Sequence, residues 1–188
     1  FDEFTIKINN RKILNGLYES INQTEKSVDI MRIIDKIDKI GDQAVMEELA
    51  KIEVPEESIN KIMQFIKIDG TTDEKLQKLQ SLGIENDTYK LGVEELGEVV
   101  KYIRLFGIED KNFVIDLSIA RGLDYYTGTV YETFLNGYRE LGSVCSGGRY
   151  ENLAQNYTDK KLPGVGISIG LTRLFYKLNE LNLIKAEK

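Results

Sequence analysis

Apolar and polar residues alternate with a period of two near both ends of the chain. FTIKIN at residues 4–9 and FVIDLSIA at residues 113–120 follow this period, which is typical of half-buried strands. TVYETFL at 129–135 is rich in β-branched and aromatic residues, and GVGISIG at 164–170 is bounded by glycines, so both are predicted strands. YRELGSVCSGGRY at 138–150 predicts a turn, a short strand and a Gly-Gly break.

The middle of the chain, from residue 24 to about residue 107, repeats its apolar residues at helical spacing instead. In SVDIMRIIDKIDKIG, Ile30 and Ile33 share one helical face, and Gly41 predicts a helix stop. The helical pattern continues in DQAVMEELAKI, PEESINKIMQFIKI, TDEKLQKLQSLGI and GVEELGEVVKYIRLFGI. Two more predicted helices lie outside this block, RKILNGLYESI at 11–21 and LTRLFYKLNELNLI at 171–184. The second carries an apolar stripe of Leu171, Leu174, Phe175, Leu178 and Leu181.

This order of elements predicts an α+β fold with an antiparallel sheet. The segments between strands after residue 112 are too short for helical crossovers, which parallel neighbours would need. We expect a core made of residues 1–25 and 109–188, interrupted by an all-helical insertion at 26–108. The insertion is too regular in its apolar stripes to be a disordered tract.

Net charge and residue composition limit the classes of function that this chain can have. The 25 basic and 31 acidic residues give a net charge of −6, and the predicted insertion alone carries 12 Lys and Arg against 17 Asp and Glu. This balance does not favour nucleic acid or an anionic membrane, so an RNA partner would need a local basic patch. The absence of histidine excludes imidazole catalysis and Cys/His metal clusters. We expect no protein metal site.

Cellular location follows from cysteine usage and hydropathy. Cys145 is the only cysteine, so no intrachain disulfide can form, and no apolar run approaches the roughly 18 residues that span a bilayer. These features predict a reducing, cytoplasmic setting. The chain begins at Phe1 with a strand-like stretch and without Met, which predicts a fragment or an excised domain.

The first candidate site is in ARGLDYYTG, where Arg121, Asp124, Tyr125 and Tyr126 follow a predicted strand. A guanidinium offers planar, bidentate donors to phosphate or carboxylate, and tyrosine hydroxyls bind polar ligands while their rings wall a pocket. The alternative is an Arg-Asp pair that pins a hairpin turn, with half-buried tyrosines around it. The chemistry alone leaves both open.

Two further candidates contain glycines. In CSGGRY, residues 145–150, adjacent glycines let a backbone approach a ligand, although an ordinary Gly-Gly turn before a helix fits this motif better when it is taken alone. In GVGISIGLTR, residues 164–173, Arg173 falls in the first turn of a predicted helix. A cation there opposes the helix dipole unless an anion binds beside it. The alternative is a solvated arginine.

Three motifs together resemble one family. ARGLDYYTGTVYE at 120–132, GSVCSGGRYENL at 142–153 and PGVGISIGLTRL at 163–174 resemble the two histidine-specific motifs and class II motif 3 of histidyl-tRNA synthetases. FTIKINNRKILNGL and IDKIDKIG are also similar to this family, so the resemblance covers nearly the whole chain.

The resemblance implies activation of L-histidine by ATP, with Mg²⁺ accompanying the nucleotide, and transfer of the histidyl group to tRNA(His). It assigns Arg121 as the catalytic residue, at the histidine carboxylate and the α-phosphate. The implied histidine-binding residues are Arg121, Leu123, Tyr125, Tyr126, Ser146, Gly147, Gly148 and Tyr150. The implied ATP-binding residues are Arg121, Gly170 and Arg173.

The family's motifs 1 and 2, and its anticodon-binding domain, have no counterpart in this sequence. We therefore expect a homodimeric, active full-length protein, and a chain that by itself binds histidine or ATP weakly and forms no adenylate. A different class also fits the resemblance: a catalytically silent relative such as the regulatory subunit of ATP phosphoribosyltransferase. The presence of both Arg121 and Arg173 favours the enzyme.

Overall fold

The protein contains a five-stranded sheet. The computed structural model describes residues 3–120, 122, 125–155 and 157–184. The strands are β1 Phe4–Asn10, β2 Phe113–Ile115, β3 Thr129–Leu135, β4 Cys145–Tyr150 and β5 Gly164–Ile169. Their spatial order is β2-β1-β3-β4-β5. Strand β5 therefore forms one edge of the sheet among the described residues.

Helices fill the predicted helical block and flank it. They are α1 Arg11–Ser20, α2 Ser27–Ile34, α3 Ile37–Lys51, α4 Glu56–Ile66, α5 Thr72–Ser81, α6 Asp87–Leu105 and α7 Leu171–Glu180. Side chains cap several of them: the Asn10 side chain accepts from the Lys12 amide, and Thr71 and Glu74 form a reciprocal capping box. No helix in the described ranges is long and apolar enough to cross a membrane.

The α+β class is confirmed, but the sheet is mixed. Strand β1 pairs antiparallel with β3, as β3 does with β4 and β4 with β5. Strands β1 and β2 are parallel, with Ile6 opposite Phe113 and Ile8 opposite Ile115. The expectation of an antiparallel sheet is wrong for this pair, because helices α1–α6 lie between the two strands and provide the crossover that a parallel neighbour requires.

Two predicted strand boundaries are wrong. Strand β2 ends at Ile115 instead of residue 120, because the Asp116 carboxylate accepts hydrogen bonds from the Ser118 amide (3.0 Å) and hydroxyl (2.6 Å) and turns the chain. Gly147 and Gly148 do not break β4; they lie inside it and pair with β3 and β5.

Gly41 interrupts α3 as the sequence predicts, because its backbone is non-helical at φ 79° and ψ 168° and separates two helical stretches. One helix prediction differs from the structure. In α7, all of whose residues are described, none is buried, and Leu171 and Phe175 of the predicted stripe are exposed. The apolar stripe is present in sequence, but no described element covers it.

Helices α1 and α6 pack closely enough to join the helical block to the sheet in one core. A Cβ atom on Gly16 would lie 2.5 Å from the Tyr89 amide nitrogen, and one on Gly92 would lie 2.6 Å from the Ile13 nitrogen. The core includes Ile8, Leu14, Ile34, Leu49, Ile62, Leu96 and Ile115, all at most 2% exposed. This packing fixes the helical block against the sheet that carries the candidate site.

Candidate functional site

A row of polar side chains crosses one face of the sheet. Lys7 of β1 lies opposite Glu132 of β3, Glu132 lies opposite Ser146 of β4, and Ser146 lies opposite Ser168 of β5. Cross-strand partners project from the same face, so these four side chains form one line across four strands. The opposite face carries Ile6 and Ile8, which pack with the core. We call the first face the polar face.

Two predicted tyrosines lie on this polar face. Tyr150 follows Ser146 by four residues and so projects from the same side of β4. Tyr126 packs on Gly148, where a Cβ atom would be 2.8 Å from its ring. A Cβ atom on Gly164 would likewise be 2.5 Å from the Tyr150 ring. These glycines therefore make room for tyrosine rings.

Tyr125 and Tyr126 form an edge-to-face pair with ring centroids 4.4 Å apart. Burial, with a smaller contribution from Tyr125, raises the pKa of Tyr126 to about 12. The Tyr126 hydroxyl therefore keeps its proton at neutral pH and can donate a hydrogen bond. Its backbone amide donates to the Gly122 carbonyl at 3.0 Å, which fixes the turn that presents the ring.

Arg173 extends from the first turn of α7 toward the loop between β3 and β4. Its Nη1 donates to the carbonyl oxygens of Ser143 (2.9 Å) and Leu141 (3.3 Å). Gly170, just before α7, donates its amide to the Val144 carbonyl at 2.8 Å. These two carbonyl acceptors explain in part why the Arg173 cation is placed in the first turn of α7.

Next to Arg173 is a cleft of about 520 Å³. Its floor includes Glu132 and Ser146 from the polar row, and the loop around Ser143 forms one side. The helical block contributes Asp35, Asp38 and Lys39 to the lining. A cleft of about 630 Å³ between α1, α4 and the α5–α6 loop lies elsewhere and has a mostly apolar lining. The chemistry suggested by the motifs is at the first cleft, which we call the Arg173 cleft.

Lys7, at one end of the polar row, is held by two carboxylates. Its Nζ lies 2.8 Å from Asp116 Oδ2 and 3.2 Å from Asp38 Oδ2. Burial by itself would raise the pKa of Asp116, but Lys7 and the Ser118 hydrogen bonds outweigh it and lower that pKa. Burial would likewise lower the pKa of Lys7, whereas Asp116 and Asp38 raise it. Both groups are therefore charged at neutral pH.

The structure brings together some of the predicted site residues and leaves others undescribed. The polar face carries Tyr126, Ser146, Gly148 and Tyr150. Gly147 lies between Ser146 and Gly148 in β4, at a position that belongs to the other face. Tyr125 adjoins Tyr126. Arg173 lines the Arg173 cleft, and Gly170 lies beside it, with its amide hydrogen-bonded to the Val144 carbonyl. Arg121, Leu123 and Asp124 lie outside the described residues.

Sequence reasoning missed four polar residues of this region. Lys7 and Glu132 occupy polar positions in alternating strands, and that alternation could have placed them on one face. Asp116 also occupies a polar position in an alternating stretch, FVIDLSIA, so the same alternation could have placed it. Lys39 carries no local signal, because only the folded chain brings the helical block to the Arg173 cleft.

Sequence comparison gives the family of this arrangement. The family model described as histidyl-tRNA synthetase matches residues 1–174. A histidine–tRNA ligase of Clostridium tetani is 58% identical over 184 residues, which are 98% of this chain and 42% of that relative. The corresponding relative from Finegoldia magna is 52% identical over 99% of this chain and 43% of its own length.

Structural comparison agrees. The crystal structure of histidyl-tRNA synthetase from Nostoc sp. PCC 7120 has a TM-score of 0.92 at 48% identity, covering 97% of this chain and 43% of that one. An ATP phosphoribosyltransferase regulatory subunit/histidyl-tRNA synthetase from Bacillus halodurans has a TM-score of 0.76 at 20% identity, covering 95% and 45%, and shares the fold. The chain therefore belongs to the histidyl-tRNA synthetase family, and it spans less than half the length of the curated relatives it matches.

Proposed function

We propose that the full-length protein containing this chain is a histidine–tRNA ligase, which activates L-histidine with ATP and transfers the histidyl group to tRNA(His). The observation that carries this proposal is the common face of the sheet, where Tyr126 and Tyr150 lie on the same side as Ser146, and Ser146 lines the cleft with Arg173. An aromatic pocket next to a polar cleft that contains a guanidinium suits an amino acid placed against a nucleotide.

The reaction needs the histidine carboxylate to attack the α-phosphorus of ATP and displace pyrophosphate, which gives histidyl-adenylate. ATP supplies the activated phosphoryl group. The chain's own part is to orient the reactants and to stabilise negative charge on the phosphate oxygens. By resemblance, Arg121 contacts the carboxylate and the α-phosphate, while Leu123 and Tyr125 line the histidine pocket.

The Arg173 cleft fits a nucleotide by size, and Arg173 supplies a cation for its phosphates. Its volume of about 520 Å³ lies within the roughly 300–1,000 Å³ usual for ligand pockets. One wall has a guanidinium whose Nη1 is fixed by carbonyls, so its remaining N–H groups are oriented. By resemblance, Mg²⁺ would enter with the nucleotide. The described residues contain no group of three His, Cys, Asp or Glu suited to a metal ion.

The histidine pocket, in this proposal, is closed by Tyr150 and by the Ser146-Gly147-Gly148 backbone. The Tyr126 hydroxyl remains protonated at neutral pH and is able to donate to an imidazole nitrogen. The proposal also divides the chain into a core of residues 1–25 and 109–188 and a helical insertion at 26–108. Contact of the insertion with tRNA, a homodimer and a cytoplasmic location are parts of the same proposal.

The silent regulatory module is the second candidate, favoured by the fold shared with the Bacillus halodurans protein. That likeness is at 20% identity, whereas the Clostridium tetani ligase is 58% identical over nearly the whole chain. The ligase is therefore the better supported function.

The test uses the full-length protein. Exchange of labelled pyrophosphate into ATP that depends on L-histidine would support activation, and charging of a tRNA(His) transcript would support transfer. Arg121→Ala should abolish both, and thermal melting would check that the variant folds. A folded wild-type protein without histidine-dependent exchange would overturn the ligase and favour the regulatory module. The isolated chain should show no exchange.

A further inference from the structure

We propose that Lys39 of the helical block is a second phosphate-binding cation of the active site, acting together with Arg173 on the β- and γ-phosphates of ATP. This inference rests on the proposed ligase function and adds a substrate-positioning role for a residue outside the three sequence motifs. It makes the helical block a wall of the nucleotide site.

The first support is position. Lys39 is in the first turns of α3, close to the junction with α2, and it lines the same cleft as Arg173 and Ser146. The side chain is exposed, and its Nζ makes no ion pair or hydrogen bond within the described residues. Lys36, three residues earlier, is instead paired with Glu48 at 3.0 Å. Of these two neighbouring lysines, Lys39 is the one available to a ligand.

The second support is that this turn is tethered to the sheet. Asp38, the residue before Lys39, pairs with Lys7 of the polar row at 3.2 Å. The Lys39 amide donates to the Lys36 carbonyl at 2.8 Å, and Ile37 packs against the core. A lysine on a fixed backbone loses less conformational freedom on binding than one on a mobile loop. The ion pair therefore holds Lys39 beside the cleft.

The third support is charge balance. Four carboxylates line the cleft, those of Asp35, Asp38, Glu132 and Glu140. Asp38 pairs with Lys7 and Glu140 lies 3.4 Å from Lys177, so the charges of these two are balanced by basic partners. Lys39 of the helical block and Arg173 of α7 both line this cleft. Ammonium groups bind phosphates as point charges, and a guanidinium binds them in a planar geometry, so the two cations are complementary.

The order of residues along β4 indicates which part of ATP would lie in the cleft beside Lys39. Along β4, the tyrosine rings pack around Gly148 and beyond, whereas the cleft begins at Ser146 and continues toward Ser143 and Arg173. If histidine lies at the tyrosines with its carboxylate at the α-phosphate, the leaving pyrophosphate group points into the cleft. Lys39 should therefore contact ATP and pyrophosphate but not AMP.

The experiment measures ATP–pyrophosphate exchange by the full-length protein with Lys39→Ala, Lys39→Arg and the matched control Lys36→Ala. Loss of one exposed charge-assisted contact should raise the KM for ATP roughly tenfold and leave the KM for histidine within about twofold. Lys39→Arg should restore most of the ATP affinity. Lys36→Ala should behave as wild type. In a separate tRNA aminoacylation assay, where pyrophosphate is a product, inhibition by added pyrophosphate should weaken in Lys39→Ala, whereas inhibition by AMP should not.

The outcomes separate the two proposals. A wild-type protein without histidine-dependent exchange refutes the ligase function and this inference with it. An active wild type with an unchanged Lys39→Ala variant refutes the inference alone. Equal weakening of pyrophosphate and AMP inhibition, or an equal effect of Lys36→Ala, also overturns it, because either result indicates a general disturbance of the turn.

Discussion

The Lys7 ammonium lies 2.8 Å from the Asp116 carboxylate, and this ion pair joins parallel strands β1 and β2 on the polar face of the sheet. Each side chain is only about a fifth exposed, so the pair is shielded from solvent. Lys7 also pairs with Asp38, which is 71% exposed. One lysine thus connects the sheet to the helical block.

Asp116→Asn should lower the free energy of unfolding by about 2 kcal/mol at pH 7, because it leaves a partly buried lysine without its main partner. The pKa of Asp116 is lowered in the folded protein, so its contribution is present above the unfolded pKa of about 4 and disappears as the pH falls through the folded pKa. Urea unfolding at pH 7, 5 and 3 would measure this. Asp38→Asn is the exposed control, with an effect below about 1 kcal/mol. A loss equal at pH 7 and pH 3 would contradict the ion-pair explanation.

Gly16→Ala should destabilise the protein by about 1–3 kcal/mol, since its Cβ would lie 2.5 Å from the Tyr89 backbone and force α1 and α6 apart. Gly97→Ala, in α6 with nothing within 4 Å, should instead stabilise by up to about 1 kcal/mol through helix propensity. The midpoints of urea unfolding report both changes. The same sign for the two variants would show that close packing of α1 on α6 is not what requires Gly16.

Tyr18→Phe should be neutral or stabilising by about 1 kcal/mol. The Tyr18 hydroxyl is buried and has no hydrogen-bond partner among the described residues, so its removal ends a desolvation cost. Tyr89→Phe is the matched control, because the Tyr89 hydroxyl donates to the Leu79 carbonyl at 2.8 Å and its loss should cost about 1 kcal/mol. Thermal melting distinguishes the two.

A pH measurement adds to this comparison. Burial raises the pKa of Tyr18, so the folded protein holds that proton more tightly than the unfolded chain. Its contribution to stability is complete below pH of about 10 and is lost as the pH rises toward the folded pKa. Tyr18→Phe should therefore reduce the loss of stability above pH 10. An unchanged alkaline profile would show that Tyr18 does not contribute.

Gly164→Ala should weaken histidine binding in the full-length protein. The new Cβ would overlap the outer part of the Tyr150 ring at 2.5 Å, and the ring can move aside, so the fold should survive while the pocket changes. We expect roughly a tenfold higher KM for histidine, equivalent to about 1.4 kcal/mol. Gly166→Ala, on the same face of β5, meets Tyr150 only at 3.5 Å and should have a smaller effect. Equal effects of both variants would exclude displacement of Tyr150 as the cause.

Much of the fold could be predicted from the sequence because the apolar periods are strong and local. The α+β class, the helical block and strands β1, β3 and β5 all follow from periodicity. The predictions failed where a tertiary contact overrides a local signal. Gly147 and Gly148 are typical of a break, yet pairing with β3 and β5 keeps them in a strand. Asp116 continues an alternating pattern, yet its own hydrogen bonds to Ser118 end β2.

The sequence by itself determined the family and the residue types at the candidate site, because the three motifs are contiguous and each carries its own chemistry. Only the tertiary structure decided that Lys7, Glu132, Ser146 and Ser168 form one row, since a shift of register by one residue would send each strand's side chains to the other face. It also decided that Lys39 and Arg173 line the same cleft. Residues more than a hundred positions apart are brought together by packing, and no local pattern encodes that proximity.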